Sequence, residues 1–195
     1  PRILSGDDIW CQGYSEPGAG SDLAGLQTRA VEDGDVFVVN GQKVWTSGAQ
    51  YADWIFMLVR TDPNAAKHNG ISYLLVDMKT PGITVRPLVL ANGHAHFNEV
   101  FFEDVRVPKS HLVGPKNEGW KVTITTLMFE RTMAGGGNYA DQIQRLAALA
   151  KQMPIDGRPA WEQSWVRQKI AQLWIEGESL KYTRLRGLTR QLKGQ

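Results

Sequence analysis

The hydrophobic period of this chain changes once, near Gly114-Pro115, and that change requires two architectures in one sequence. Before it the pattern is that of strands. Leu26, Thr28 and Ala30 alternate with polar neighbours, Asp33-Gly34 marks a turn, and Val36-Phe37-Val38-Val39 returns, which is a hairpin signal. Asn40-Gly41 predicts another turn before Gln42 to Trp45, and the apolar run Trp54 to Val59 reads as a strand buried on both faces. A polar loop, Thr61 to Gly70, precedes strands over Ile71 to Val76, Ile83 to Leu90 and Glu99 to Val107, the last closed by Pro108. About seven strands at this spacing predict a β-barrel or sandwich. After the change the period is helical. Asn117 is placed to cap a helix whose stripe carries Trp120, Ile124, Leu127 and Arg131. Gly135-Gly136-Gly137 interrupts it, Ile143, Leu146, Ala147 and Ala150 continue it, and Pro154 with Asp156-Gly157-Arg158-Pro159 ends it. A third, long helix is predicted from about Trp161 past Leu188. The expected class is α+β: an antiparallel β-barrel or sandwich domain over residues 1–114, then part of an α-helical bundle domain over 115–195.

Composition narrows the functions open to such a chain. With 42% hydrophobic and 22% charged residues it is not a disordered or fibrous sequence. Its longest apolar run, Trp54 to Val59, is far shorter than the ~18 residues that cross a bilayer, so no integral membrane segment is expected. A single cysteine, Cys11, rules out an internal disulfide and fits a reducing, cytoplasmic setting. Charge is uneven: from Arg145 onward ten Lys/Arg face four Asp/Glu, leaving +6 there and −4 before it out of a net +2. Such a tail suits either a polyanionic partner or a solvated helix face. Trp161, Trp165 and Trp174 could stack on bases, but they share the apolar stripe, so they are assigned to core packing and no nucleic-acid partner is expected. Pro1-Arg2 and the helical pattern still running at Leu192 to Gln195 point to a piece of a longer protein.

The richest motif is Tyr14-Ser15-Glu16-Pro17-Gly18-Ala19-Gly20-Ser21-Asp22. Pro17 fixes a turn, Gly18 and Gly20 permit unusual backbone angles and close approach, and Ser15 and Ser21 flank them with hydroxyls. This suits a polar, oxygen-rich ligand. It is not a dinucleotide fingerprint, because Leu23 stands at the third glycine position, no hydrophobic strand leads in, and a hairpin follows where a helix should. No phosphate-binding G-x-x-x-x-G-K-S/T or nucleophile-elbow G-x-S-x-G is present. His94 and His96 share a strand face without a third ligand, so no metal is expected. Val44-Trp45-Thr46-Ser47-Gly48 offers an aromatic ring beside two hydroxyls, which suits either a flat heteroaromatic ligand or an ordinary strand end. Glu130-Arg131 sets charge among Leu127, Met128, Phe129 and Met133, either as a general base whose pKa burial raises or as a structural ion pair.

The run Gly13 to Gly25 closely resembles the first signature of the acyl-CoA dehydrogenases. Asn40-Gly41-Gln42-Lys43-Val44-Trp45-Thr46-Ser47-Gly48, Phe101 to Pro108 and Phe129-Glu130-Arg131-Thr132 resemble further blocks of that family in its order and spacing. The resemblance covers the family's middle β-domain and the opening of its carboxy-terminal helical domain. It implies an FAD enzyme of lipid β-oxidation that converts an acyl-CoA thioester to the trans-2-enoyl-CoA and passes electrons to an electron-transfer flavoprotein. By position it implies Ser15 at the flavin's pyrimidine side, Ser47 near N5, Trp45 against the ring, Thr46, Tyr14 and Gly20 in the same cofactor-binding blocks, Ser21 at the thioester and Arg131 near the CoA. The base in most relatives comes from a later loop, but in a minority it stands at the position of Glu130, and Glu130 is the candidate here.

Two departures from the family pattern stand out. Tyr14 replaces a small aliphatic residue at the flavin edge, and Lys151 to Pro159 replaces an Arg-x-x-Phe-Gly element that reaches the FAD pyrophosphate of a neighbouring subunit. Arg158 or Lys151 substitutes for that arginine, or another subunit holds the pyrophosphate. These point to a divergent bacterial branch with bulky substrates or mixed oligomers, homo- or hetero-oligomeric as a dimer of dimers. The chain by itself is expected to be incomplete and inactive. Two alternatives stay open: a related acyl-CoA oxidase or flavin monooxygenase, and a non-catalytic partner subunit of a mixed oligomer.

Overall fold

The computed structural model describes residues 2–134 and 139–194, with the side chains of 131–134 and 191 outside the described set. It comprises two compact units, Pro1–Thr126 and Leu127–Gln195. The first opens with a short helix α1 (Arg2–Ser5) and carries strands β1 (Trp10–Gly13), β2 (Arg29–Asp33), β3 (Val36–Ser47), β4 (Trp54–Arg60), β5 (Ile71–Asp77), β6 (Ile83–Leu88), β7 (Phe97–Pro108) and β8 (Leu112–Val113). They form one open sheet in the order β6-β7-β3-β2-β4-β5-β8, with β1 paired to β4. Two pairings are parallel, β1 with β4 from Trp10↔Trp54 to Gly13↔Met57 and β2 with β4 at Arg29↔Arg60, so the sheet is mixed where sequence predicted it antiparallel. β1 is also the strand that sequence reading found missing ahead of the glycine loop.

The interior follows from pattern. Ile55, Met57, Leu58 and Val59 of β4 and Ile71 and Leu74 of β5 are fully buried, as their near-continuous apolar runs require of a strand covered on both faces. Each such side chain contributes roughly 1.5–3 kcal/mol on burial.

β3 departs from expectation. Asn40-Gly41 makes no turn; the chain continues as one twelve-residue strand against β7, with register shifts between Val39 and Gly41 and between Lys43 and Thr46. Gly41 absorbs the first shift at φ 150°, where a Cβ would stand 2.6 Å from Thr28 Oγ1 and 2.7 Å from Thr28 Cα. The Asn40 side chain is held by Asp104, its Nδ2 donating to Asp104 Oδ1 at 2.9 Å and its Oδ1 accepting from Asp104 N at 3.0 Å. The bulge chemistry of Asn-Gly and its turn chemistry are the same, and tertiary pairing chose the bulge.

Asn117 likewise does not cap. It sits at φ 69°, its side chain accepts from Thr61 Oγ1 at 2.6 Å, and its N–H donates to Ser72 Oγ at 2.9 Å. Helix α2 (Gly119–Ala134) begins two residues later, with Gly119 pressed on the β5 backbone: a Cβ there would lie 2.5 Å from Ser72 C. The division between units falls within α2.

The second unit carries α3 (Tyr139–Gln152), a two-residue hairpin of β9 (Pro154–Ile155) and β10 (Arg158–Pro159), and α4 (Ser164–Leu192). Asp156 at φ 52° and Gly157 at φ 75° make the left-handed turn. The triple-glycine break, residues 135–137, lies outside the described residues. A small core of Ala150, Ala160 and Ile170 with Ile143, Trp161 and Val166 joins α3 to α4. Trp165 and Trp174, assigned to core packing by their stripe, are 60% and 40% exposed. Among the described residues no helix is long and apolar enough to cross a membrane.

Candidate functional site

β1 delivers the chain directly into the Ser15–Asp22 loop. The loop is closed by a two-way backbone pair, Glu16 N–H donating to Ala19 O and Ala19 N–H donating to Glu16 O, both at 3.0 Å, with Pro17-Gly18 at the tip. Gly18 and Gly20 do not take positive φ, and a Cβ on either would meet open space. The loop is therefore closed by the Glu16–Ala19 pair, and Gly18 and Gly20 do not take the unusual backbone angles expected of them.

Glu16 turns inward and is buried. Its Oε2 accepts from Gln27 N at 2.6 Å, and its Oε1 accepts from Thr28 N at 3.0 Å and from Lys43 Nζ at 2.8 Å. Lys43, on β3, is fully buried and donates also to Tyr14 O at 3.2 Å. Burial pushes the Glu16 carboxyl up, but the Lys43 charge and these hydrogen bonds together hold it below the usual carboxylate range. Burial pulls the Lys43 ammonium down to about 8, with Glu16 opposing the shift.

Loop and strand then meet through the backbone. Val44 N–H donates to Ser15 O at 2.9 Å, within the second bulge. In that bulge Trp45 stands at φ 60°, left-handed and strained for an aromatic residue, with 57% of its surface exposed and its ring edge-on to Phe97 at 5.8 Å. Ser47 is exposed, whereas Thr46 is fully buried and its hydroxyl has no partner among the described residues. Adjacent strand residues point to opposite faces, so Trp45 and Ser47 share the outer face and Thr46 does not. Thr46 as a hydroxyl at the ligand edge is thus corrected. Behind it Asn98 Nδ2 donates to Thr46 O at 3.0 Å, and Asn98 Oδ1 is likewise buried with no partner among the described residues.

Other expected residues fall as follows. The Tyr14 ring is buried, edge-on to Phe56 and Tyr73, with the hydroxyls of Tyr14 and Tyr73 3.4 Å apart. It is an interior ring packed on the aromatic pair Phe56 and Tyr73, whose own rings are stacked. Ser15 is half-buried and Ser21 exposed, next to Asp22, which pairs with Lys67. Cys11 is buried and its thiol pushed up to about 12 by burial, so it is not a nucleophile. His94 and His96 lie in an exposed loop with ring centroids 5.6 Å apart.

Glu130 belongs to the second unit and is exposed, where a buried position was expected. The side chain of Arg131 lies outside the described residues. Lys151 Nζ sits 5.2 Å over the Trp161 ring, while Arg158 is exposed on β10.

Sequence reading missed Lys43 and Asn98. The available signal was parity: both are polar residues at inward positions of strands whose neighbours, Val39 and Val100, are core.

The first unit thus presents an exposed indole and an exposed serine on one strand, fastened to a hydroxyl-bearing loop, and a helical unit follows it. The donor set suits a flat heteroaromatic group: an apolar ring face with hydroxyl and backbone donors at its edge. Residues 11–105 match the family description "Acyl-CoA dehydrogenase, middle domain", and residues 117–195 match "Acyl-CoA dehydrogenase, C-terminal domain". Acyl-CoA dehydrogenase IpdE1 of Mycobacterium tuberculosis is 45% identical over 177 residues, 89% of this chain and 45% of that protein. A solved structure titled "Tcur3481-Tcur3483 steroid ACAD" superposes with a TM-score of 0.82 at 39% identity, over 97% of this chain and 48% of that one. The ChsE4-ChsE5 complex from Mycobacterium tuberculosis gives 0.81 at 38% identity, over 98% and 50%. This chain belongs to the acyl-CoA dehydrogenase family. It spans about half the length of these relatives.

Proposed function

We propose that the chain forms the middle β-domain and the first helices of an FAD-dependent acyl-CoA dehydrogenase. The observation that carries this reading is Trp45, more than half exposed on a strained bulge, with Ser47 two residues on and the Ser15 carbonyl tied to Val44. A soluble protein keeps a large ring outside in a strained conformation when the ring has a partner there. On this reading Trp45 packs against the isoalloxazine, Ser47 and Ser15 donate to its edge, and Ser21 approaches the thioester.

Bound there, FAD supplies the hydride acceptor for the carbon β to the thioester carbonyl. This chain's residues orient the ring and exclude water from one side, and Glu130 takes the proton from the carbon α to the carbonyl. Together these losses leave the trans-2-enoyl-CoA. Electrons then leave through an electron-transfer flavoprotein, in a cytoplasmic setting.

The substrate class is a bulky CoA thioester handled by a mixed oligomer, a reading supported by two solved relatives whose titles name a steroid enzyme and a two-component complex. The test is anaerobic titration of the complete protein with straight-chain and polycyclic acyl-CoAs, following flavin bleaching. Bleaching by the polycyclic thioesters at lower concentration is expected. A complete protein that takes up no flavin overturns the reading, and Glu130→Gln turnover within a few-fold of wild type places the base elsewhere.

A further inference from the structure

Two walls of the candidate site come from distant parts of the chain, the Tyr14–Ser21 loop and the bulge at Val44 to Ser47, and an internal charge pair lies where they join. Lys43 Nζ reaches Glu16 Oε1 at 2.8 Å and Tyr14 O at 3.2 Å, and the next residue's N–H reaches Ser15 O at 2.9 Å. Glu16 in turn holds Gln27 N and Thr28 N, and Thr28 Cα is the atom against which Gly41 packs at the first bulge. One buried carboxylate therefore touches the loop, the approach to β2, and β3 between its two register shifts.

A pair so placed is poorly explained as a source of stability. Taking both charges out of water costs about as much as their attraction returns, and well-packed apolar residues of similar size do as well. What a buried pair can supply is a single register, where every alternative leaves a charge without its partner. The register set here is that of the strained bulge. Lys43 is the last residue before the second shift, and two positions on Trp45 is held at φ 60° with its ring outward.

We propose that Lys43 and Glu16 are positioning residues that lock the Tyr14–Ser15 backbone to the Trp45–Ser47 bulge, so that both walls of the ring-binding face are set as one piece. The inference rests on the flavin reading above. Neither residue touches the cofactor; they act through Ser15 and Trp45.

The test uses the complete protein in four forms: wild type, Lys43→Met, Glu16→Gln and the double variant, which removes the charges and keeps both volumes. Three quantities are read: thermal stability, FAD dissociation constant by fluorescence, and hydrogen exchange at the amides of residues 15–20 and 44–47. Each single variant is expected to lose stability and to bind FAD at least ten-fold more weakly. The double variant, with no charge stranded, is expected to recover its melting temperature but not its FAD affinity, and both segments are expected to exchange faster together.

Recovery of affinity along with stability in the double variant makes the pair merely structural and overturns the proposal. Faster exchange in one segment alone, or in neither, also overturns it, and that readout needs no flavin. The double variant carries the decision if a single variant does not fold. A wild-type protein that binds no FAD, yet whose two segments loosen together in the double variant, overturns the flavin reading and leaves the coupling standing.

Discussion

Trp45 shows how much a single position can state and conceal in a sequence. Its place at a strand end beside hydroxyls was legible, but the sequence left open whether the ring is core or faces a ligand, and in the structure it is 57% exposed. Its left-handed backbone was not legible, because the bulge that imposes it depends on pairing with β7. Thr46 was misplaced for a related reason: two neighbouring hydroxyls in a strand cannot share a face, and parity outranks proximity. The pairing of Lys43 with Glu16 was not legible, because nothing local announces that residues so far apart will meet. The strain at Trp45 is worth roughly 1–3 kcal/mol and its edge contact with Phe97 roughly 0.5–1.5. Asparagine tolerates the left-handed region, so Trp45→Asn is expected to leave folding stability within about 1 kcal/mol of wild type, or to raise it, while flavin uptake falls. Chemical denaturation beside a flavin titration checks this. A loss of more than about 2 kcal/mol would show that the ring serves the fold and not a ligand.

At the level of elements, the long apolar runs and the Asp33-Gly34 hairpin were read correctly, while β1 and the Asn40-Gly41 bulge were not. β4 and β5 announced themselves because a strand covered on both faces has no polar interruptions. β1 did not, since four residues carry too little period and its partner lies across forty positions of chain. Asn40-Gly41 misled because glycine at positive φ serves a bulge as readily as a turn. The bulge at Gly41 leads to its own prediction. A methyl group there meets Thr28 backbone at 2.7 Å, which cannot yield as a flexible side chain could. Gly41→Ala is expected to cost about 1–3 kcal/mol through overpacking and to displace Glu16 with Thr28. Urea unfolding measures the first effect and a melting curve of the flavin-loaded protein the second. A neutral substitution would mean that β3 can slide past Thr28.

Across the whole molecule, the change of hydrophobic period predicted two parts meeting at 114/115, whereas the compact units divide at 126/127, inside α2, and the second part could be read only so far. Its helices were anticipated, but Trp165, Trp174, Leu180 and Leu185 lie 60%, 40%, 56% and 47% exposed along α4. A stripe predicts which residues will be covered, not what covers them, and relatives about twice as long carry further chain. Apolar faces of this extent associate in water. The 195-residue chain alone is therefore expected to self-associate at micromolar concentration, and Trp165→Glu with Leu180→Glu to reduce this, as read by sedimentation. A strictly monomeric wild-type chain would contradict it.

The parallel pairing of β1 with β4 carries a temporal meaning as well. Trp10 finds its neighbour in Trp54, and the strand that carries Trp45 finds its own in residues 97–108. A ribosome releases the glycine loop long before either anchor exists. The pairings that fasten the glycine loop to the sheet are thus non-local, and they wait on loop closures whose entropy must be met first.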